Sequence, residues 1–218
     1  MDDTTRAPIP TPLLLFALLY GGMTCIAGVL GAKQVAIGSL AVEAGIFPFL
    51  LLVAVSSAVA RLYGRWTADR IVWLGFVPLV TAILLTWIVL RLPTDEGMFG
   101  PAKTAFPIIL GQSWRLMLAG IVAYGVSMTL NVYVFTRLTR DRQSGVLSSG
   151  AVASVLSQVV DTLIFITIAF YGVRPIGSLI AGQALAKVLL SIILVPPLIA
   201  LFVNAARWMD DKRASRAG

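Results

Sequence analysis

Six apolar runs, each close to the length that crosses a bilayer, constrain this chain more than any other feature of its sequence. A helix needs about 20 residues to span the hydrocarbon layer, and runs of that order lie at about 13–32, 46–63, 71–92, 113–136, 150–172 and 176–203. Only 12% of the residues are charged, roughly half of what a soluble domain uses to cover itself against water. In lipid every backbone polar group must find an internal partner, which favours helices. The expected fold is an all-α integral membrane protein: a bundle of about six transmembrane helices, forming a single membrane domain over residues 1–218, with the lipid bilayer as its surroundings. The first run follows a head bearing Asp2, Asp3 and a lone Arg6. No A-x-A site follows a short apolar stretch there, so the segment reads as a span rather than a cleaved signal.

Charge placement supports the same picture. The net charge is +7, but the Lys and Arg residues sit between apolar runs and in the C-terminal tail. They form no basic face, which argues against a nucleic-acid partner. With an even number of spans, both termini share a side. Segments on that side carry 11 Lys and Arg, among them Arg6, Arg61, Arg65, Arg70, Arg137, Arg140 and Arg142; the opposite segments carry 5, namely Lys33, Arg91, Lys103, Arg115 and Arg174. This bias predicts a multi-pass inner-membrane protein with cytoplasmic N- and C-termini. Trp66, Trp73, Trp114 and Trp208 fall near span ends, where aromatic anchors belong. The chain has no histidine and one cysteine, Cys25, so no nucleophile with an adjacent base is visible and no enzyme is expected. No cofactor or metal motif stands out, and the connection at 33–45 lacks a phosphate-cradling fingerprint.

Ionisable groups inside spans cost about 2.5–3.5 kcal/mol each on insertion scales, so each asks for a partner or a purpose. Asp161 and Lys187 are the clear cases. In the fifth run, Ser154, Ser157, Gln158, Asp161 and Phe165 share one helix face by their i, i+3, i+4, i+7, i+11 spacing. Gln183, Lys187 and Ser191 share a face in the sixth run, and Tyr124, Ser127 and Asn131 in the fourth. Such groups also serve as interhelical glue at about 0.6 kcal/mol each, and Asp161 with Lys187 also suits a structural ion pair. The favoured reading joins the three faces around a cavity near the midplane, where transporters bind substrate.

These residues resemble a known family. Ser157-Gln158-Val159-Val160-Asp161, continued by Phe165-Ile166-Thr167-Ile168-Ala169-Phe170-Tyr171-Gly172, is similar to the S-Q-x-x-D…F-x-x-I-A-F-x-G signature of the vitamin-uptake-type transporters, known mainly as queuosine precursor transporters. Gly111-Gln112 with Arg115, Asn131-Val132-Tyr133-Val134-Phe135, Lys187 followed by Pro196, and Ala44-Gly45-Ile46-Phe47 match further stretches in the same order. The resemblance implies a six-helix importer of a small-molecule substrate, a deazaguanine such as 7-cyano-7-deazaguanine used in tRNA modification. A carboxylate suits the adjacent N–H donors of a guanine-like edge, and Gln or Lys its acceptors. Asp161 is accordingly expected on the donor edge, with Gln158, Asn131, Gln183, Lys187 and Ser157 around the rest. Phe47, Tyr124 and Phe165 are expected to sandwich the ring.

Ser57 and Arg61 stand where the family commonly has two acids, and Asn131 where an acid is common. A different purine-like or vitamin substrate is therefore the alternative on the substrate side. On the mechanistic side the alternative is a substrate-capturing subunit that needs an ATP-driven partner, for which Gly21, Gly28 and Ala32 offer a docking row. The sequence leaves room for a homo-oligomer.

Overall fold

In the computed structural model of the chain, the described residues are 9–37, 40–111, 114–140, 145–172 and 176–217. Asp2, Asp3, Arg6, Gln112, Arg142, Arg174 and the side chain of Trp114 lie outside them. The described chain is a helical bundle. Its elements run α1 (Thr11–Gly31), β1 (Gln34–Ile37), β2 (Leu40–Glu43), α2 (Ile46–Tyr63), α3 (Arg65–Leu74), α4 (Phe76–Val89), α5 (Gly100–Leu110), α6 (Trp114–Arg140), α7 (Val146–Phe170) and α8 (Gly177–Ala217). Six helical stretches are long and apolar enough to cross a membrane, α3 and α4 counting together as one.

α2 is the central helix. Every residue from Leu52 to Ala60 is buried, and the run is rich in Ala and Ser (Ala54, Ser56, Ser57, Ala58, Ala60), which let neighbouring backbones approach. α1, α3, α6 and α8 pack around it, and α7 lies between α6 and α8. The outer helices turn Leu, Ile and Val outward: Leu14, Leu18, Leu85, Ile88, Leu163, Ile193 and Leu201 are all exposed. That is the expected distribution where the surrounding medium is hydrocarbon.

Four features depart from the sequence reading. The third apolar run, expected at 71–92, is a broken helix. Gly64 has φ +82° and ψ 163° between α2 and α3, a region nearly restricted to glycine. Gly75, between α3 and α4, sits where a Cβ would lie 2.6 Å from the Tyr124 hydroxyl and 2.8 Å from Cε1 of Tyr20. The stretch 93–111, read as a loop, contains α5. The connection at 33–45 forms an antiparallel β-pair with Gln34 opposite Glu43 and Val35 opposite Val42. Finally, α8 does not stop near Val203 but runs 41 residues through Pro196 and Pro197, roughly 60 Å at 1.5 Å per residue.

Aromatic and cationic side chains pair at the helix ends. The Arg70 guanidinium lies 3.8 Å from the Trp66 ring centre, Arg91 lies 3.6 Å from that of Trp87, and the Lys212 amine lies 4.8 Å from that of Trp208. Trp66, Trp73 and Trp208 are each more than 60% exposed, as interfacial anchors are.

A candidate ligand cavity at one end of the bundle

A cavity of about 300 Å³ lies in the half of the bundle that carries the β-pair and α5. Its walls come from the C-terminal half of α1, β2, the start of α2, the C-terminal part of α4, the end of α5, the start of α6, the middle of α7, and Lys187 of α8. The other end is packed shut by Val53, Val55, Ala58, Val59, Met128, Val132, Phe135, Val195 and Ile199, all 1% exposed or less. α4 and α6 make a contact where the Phe76 and Tyr124 rings stand edge to face with centres 4.9 Å apart. Beyond it Leu79, Ala82, Ile83 and Thr86 face Met117, Gly120 and Ile121 across the cavity.

The polar face of α7 turns inward as its spacing predicts. Ser154, Ser157, Gln158, Asp161 and Thr162 are buried, while Val152, Leu156 and Leu163 face outward. Asp161 is 7% exposed. Its Oδ2 accepts from Lys187 Nζ at 3.2 Å and its Oδ1 from Ser127 Oγ at 3.3 Å. Thus α6, α7 and α8 are joined at one carboxylate. Each charge offsets the other's desolvation, which neither survives alone in low dielectric.

Gln158, one turn before Asp161, lines the same cavity. It is 0% exposed, and neither its amide nitrogen nor its amide oxygen has a hydrogen-bond partner. An unpaired buried amide costs about 1–3 kcal/mol per group. Such orphaned groups on a cavity wall mark a place where a ligand can supply the missing partners. Tyr124 and Phe165 line the cavity. Tyr124 also donates to Tyr20 Oη at 2.8 Å, while the two rings lie 6.4 Å apart.

Other expected residues stand elsewhere. Asn131 is fully buried between α6 and α2, its amide nitrogen donating to Ser56 Oγ and Ser57 Oγ, each at 3.2 Å. It is not part of the cavity wall. Ser157 donates to the Ser154 carbonyl at 2.9 Å within α7. Phe47 is 42% exposed on the outside of α2, because two residues along a helix separate side chains by about 200°; Phe49 takes the inward position. Gln183 reaches the site indirectly, its Nε2 donating to Glu43 Oε1 at 3.4 Å.

Glu43 itself was not among the expected site residues, since it falls in the connection at 33–45. The β-pair folds it against α8 and into the cavity wall. One signal pointed to it: Glu43 is the only charged residue between positions 34 and 60. Arg115, counted among the external charges, closes the end of α7, donating to the carbonyls of Ile168 at 2.5 Å and Tyr171 at 2.6 Å. These are the orphan acceptors that a helix C-terminus leaves. Among the described residues, no cluster of acids, Cys or His has the form of a metal site.

Comparison with known proteins gives a consistent pattern. A family model described as "Putative vitamin uptake transporter" matches residues 43–201. A probable queuosine precursor transporter of Bacillus subtilis (strain 168) is 31% identical over 163 residues, covering 70% of this chain and 67% of that protein. No solved structure matches significantly.

Proposed function

The chain belongs to the vitamin uptake transporter family, a multi-pass membrane protein by its six apolar helical stretches, and on that premise we propose that it imports a queuosine precursor, a flat heterocycle such as 7-cyano-7-deazaguanine. The observation that carries this reading is the orphaned Gln158 amide on the cavity wall, one turn from the Asp161–Lys187 pair. A neutral amide offers one acceptor and two donors in a plane, the complement of a planar lactam or amidine edge. A 300 Å³ cavity is at the small end of the range that ligand pockets occupy. Its Tyr124, Phe165 and Phe49 side chains supply apolar and aromatic surface for a ring.

In this reading Gln158 and Lys187 touch the ligand, Asp161 holds the Lys187 amine in place, and Tyr124 and Phe165 cover the ring. Asn131, Ser157 and their partners brace α2, α6 and α7 rather than contacting substrate. The 11-to-5 charge bias supports cytoplasmic termini in the inner membrane. The half of the bundle that holds the cavity then lies on the outer side of the membrane, and the cytoplasmic half is the tightly packed one.

Purified protein in proteoliposomes tests the proposal. Saturable uptake of radiolabelled 7-cyano-7-deazaguanine is expected with this chain alone, and Gln158→Leu lowers it about tenfold or more by removing the buried hydrogen bonds. Binding without uptake would point instead to a capture subunit that depends on an energised partner. Absence of any deazaguanine binding by the wild type would overturn the substrate assignment.

A further inference from the structure

Two carboxylates line the cavity, and they are not equivalent. Both oxygens of Asp161 already hold protein donors, and the Lys187 amine balances its charge. Glu43 accepts a single hydrogen bond from a neutral amide, on Oε1 at 3.4 Å. No ion pair involves it among the described residues, and Oε2 has no protein donor among the hydrogen bonds of those residues. The residue is only half-buried and sits in the cavity wall. Below it on α8, Gln183 and Lys187 stand one turn apart, about 6 Å along the axis. Gln183 keeps its own Oε1 buried and unpaired.

We propose that Glu43 is the residue that selects the ligand: its carboxylate accepts the ring N–H and the neighbouring exocyclic amine of a guanine-like edge. Asp161 does not do this, since its charge is committed to Lys187. A carboxylate facing two adjacent N–H donors forms parallel charge-assisted hydrogen bonds, the geometry that gives both strength and directional choice. The half-buried carboxylate is partly hydrated when the cavity is empty, and a ligand bearing two donors takes the place of that water. A ligand without the amine leaves one oxygen unsatisfied. A site built around a hydrogen bond rejects such a ligand far more strongly than an apolar pocket rejects a missing methylene. The assignment rests on the reading of the cavity as a guanine-type site.

Binding of two probes to the purified full-length chain tests it: 7-cyano-7-deazaguanine and its counterpart lacking the exocyclic amine. The wild type should prefer the aminated ring by about ten- to hundredfold, the range of a hydrogen bond to a charged group. Glu43→Gln places an amide N–H against the ligand's donors, so the preference should collapse to within about threefold. Asp161→Asn should weaken both probes equally and leave the ratio intact. Glu43→Asp, which keeps the charge one methylene back, should keep the preference at lower affinity and guards against loss of fold in the Gln variant. A full preference retained by a folded Glu43→Gln protein would overturn the assignment while leaving the importer reading in place. A wild type that binds neither probe would remove the deazaguanine substrate assignment on which this inference rests.

Discussion

The buried Asp161–Lys187 pair makes a stability prediction that can be worked from its geometry. With the charged atoms 3.2 Å apart, the attraction at an effective dielectric constant of about 20 is about 5 kcal/mol. Both side chains are about one-tenth exposed, so each depends on the other to offset its desolvation. Asp161→Asn leaves an amine uncompensated, and Lys187→Met leaves a carboxylate held only by Ser127; each should cost about 3–5 kcal/mol. The double variant Asp161→Asn/Lys187→Met removes both charges and should lie close to the wild type in stability, because a buried pair replaced by uncharged groups is often neutral. Titration of the purified protein with a denaturing detergent, followed by tryptophan fluorescence, reads all four corners of the cycle. Additive losses in the double variant would refute the reasoning, since two groups that do not sense each other cannot be paired. Uptake supplies the second axis. The stable double variant should fail to transport, and normal transport by it would reduce the pair to a clasp between α7 and α8.

Two further outcomes follow from side chains near the cavity. Cys25 is the chain's one cysteine and lies in the cavity wall on α1, so a membrane-impermeant maleimide added outside intact cells should label it, more slowly with substrate present; labelling that ignores substrate would place the ligand elsewhere. Gly75→Ala should destabilise by about 1–3 kcal/mol through overpacking against the Tyr124 hydroxyl 2.6 Å away, and adding Tyr124→Phe should restore part of the loss; wild-type stability in the same unfolding titration would count against that close approach.

Much of the bundle was legible because hydrocarbon imposes one rule, a run of about 20 apolar residues per crossing, and α1, α2, α6 and α7 follow it plainly. The inward face of α7 was legible for the same reason: Ser154, Gln158 and Asp161 recur at helical spacing within otherwise apolar surroundings, and polar groups avoid lipid. What lay beyond reach depended on contacts between distant segments. The interruption between α3 and α4 has a local cause, Pro78, which cannot donate to the Leu74 carbonyl; the crowding of Gly75 by Tyr20 and Tyr124 from two other helices is encoded nowhere in the third apolar run. Asn131 could be placed on a polar face, but its partners Ser56 and Ser57 lie about 75 positions away on α2. Phe47 and Phe49 are indistinguishable by type, and only the rotation of α2 about its axis decides which one faces the cavity. Glu43 was hidden by the short β-pair, which carries a nominal loop residue into the bundle.

The cavity's polar groups gather on the side of α7, α8 and the β-pair, whereas the side of α4 and α5 offers mainly Leu79, Ala82, Ile83, Leu90 and Ile109. A guest in such a chamber meets charge and amides along one rim, and only the Thr86 hydroxyl and the Trp87 indole among the apolar groups of α4 along the other. Decorations on that far rim are sorted more by bulk than by charge, so congeners that differ there should bind alike. A congener whose far rim carries a stiff, oversized group would seat its polar edge and press against Leu79, Ala82 and Ile83 of α4. The same asymmetry that makes the protein tolerant of variety therefore also shows how to build a stopper for it.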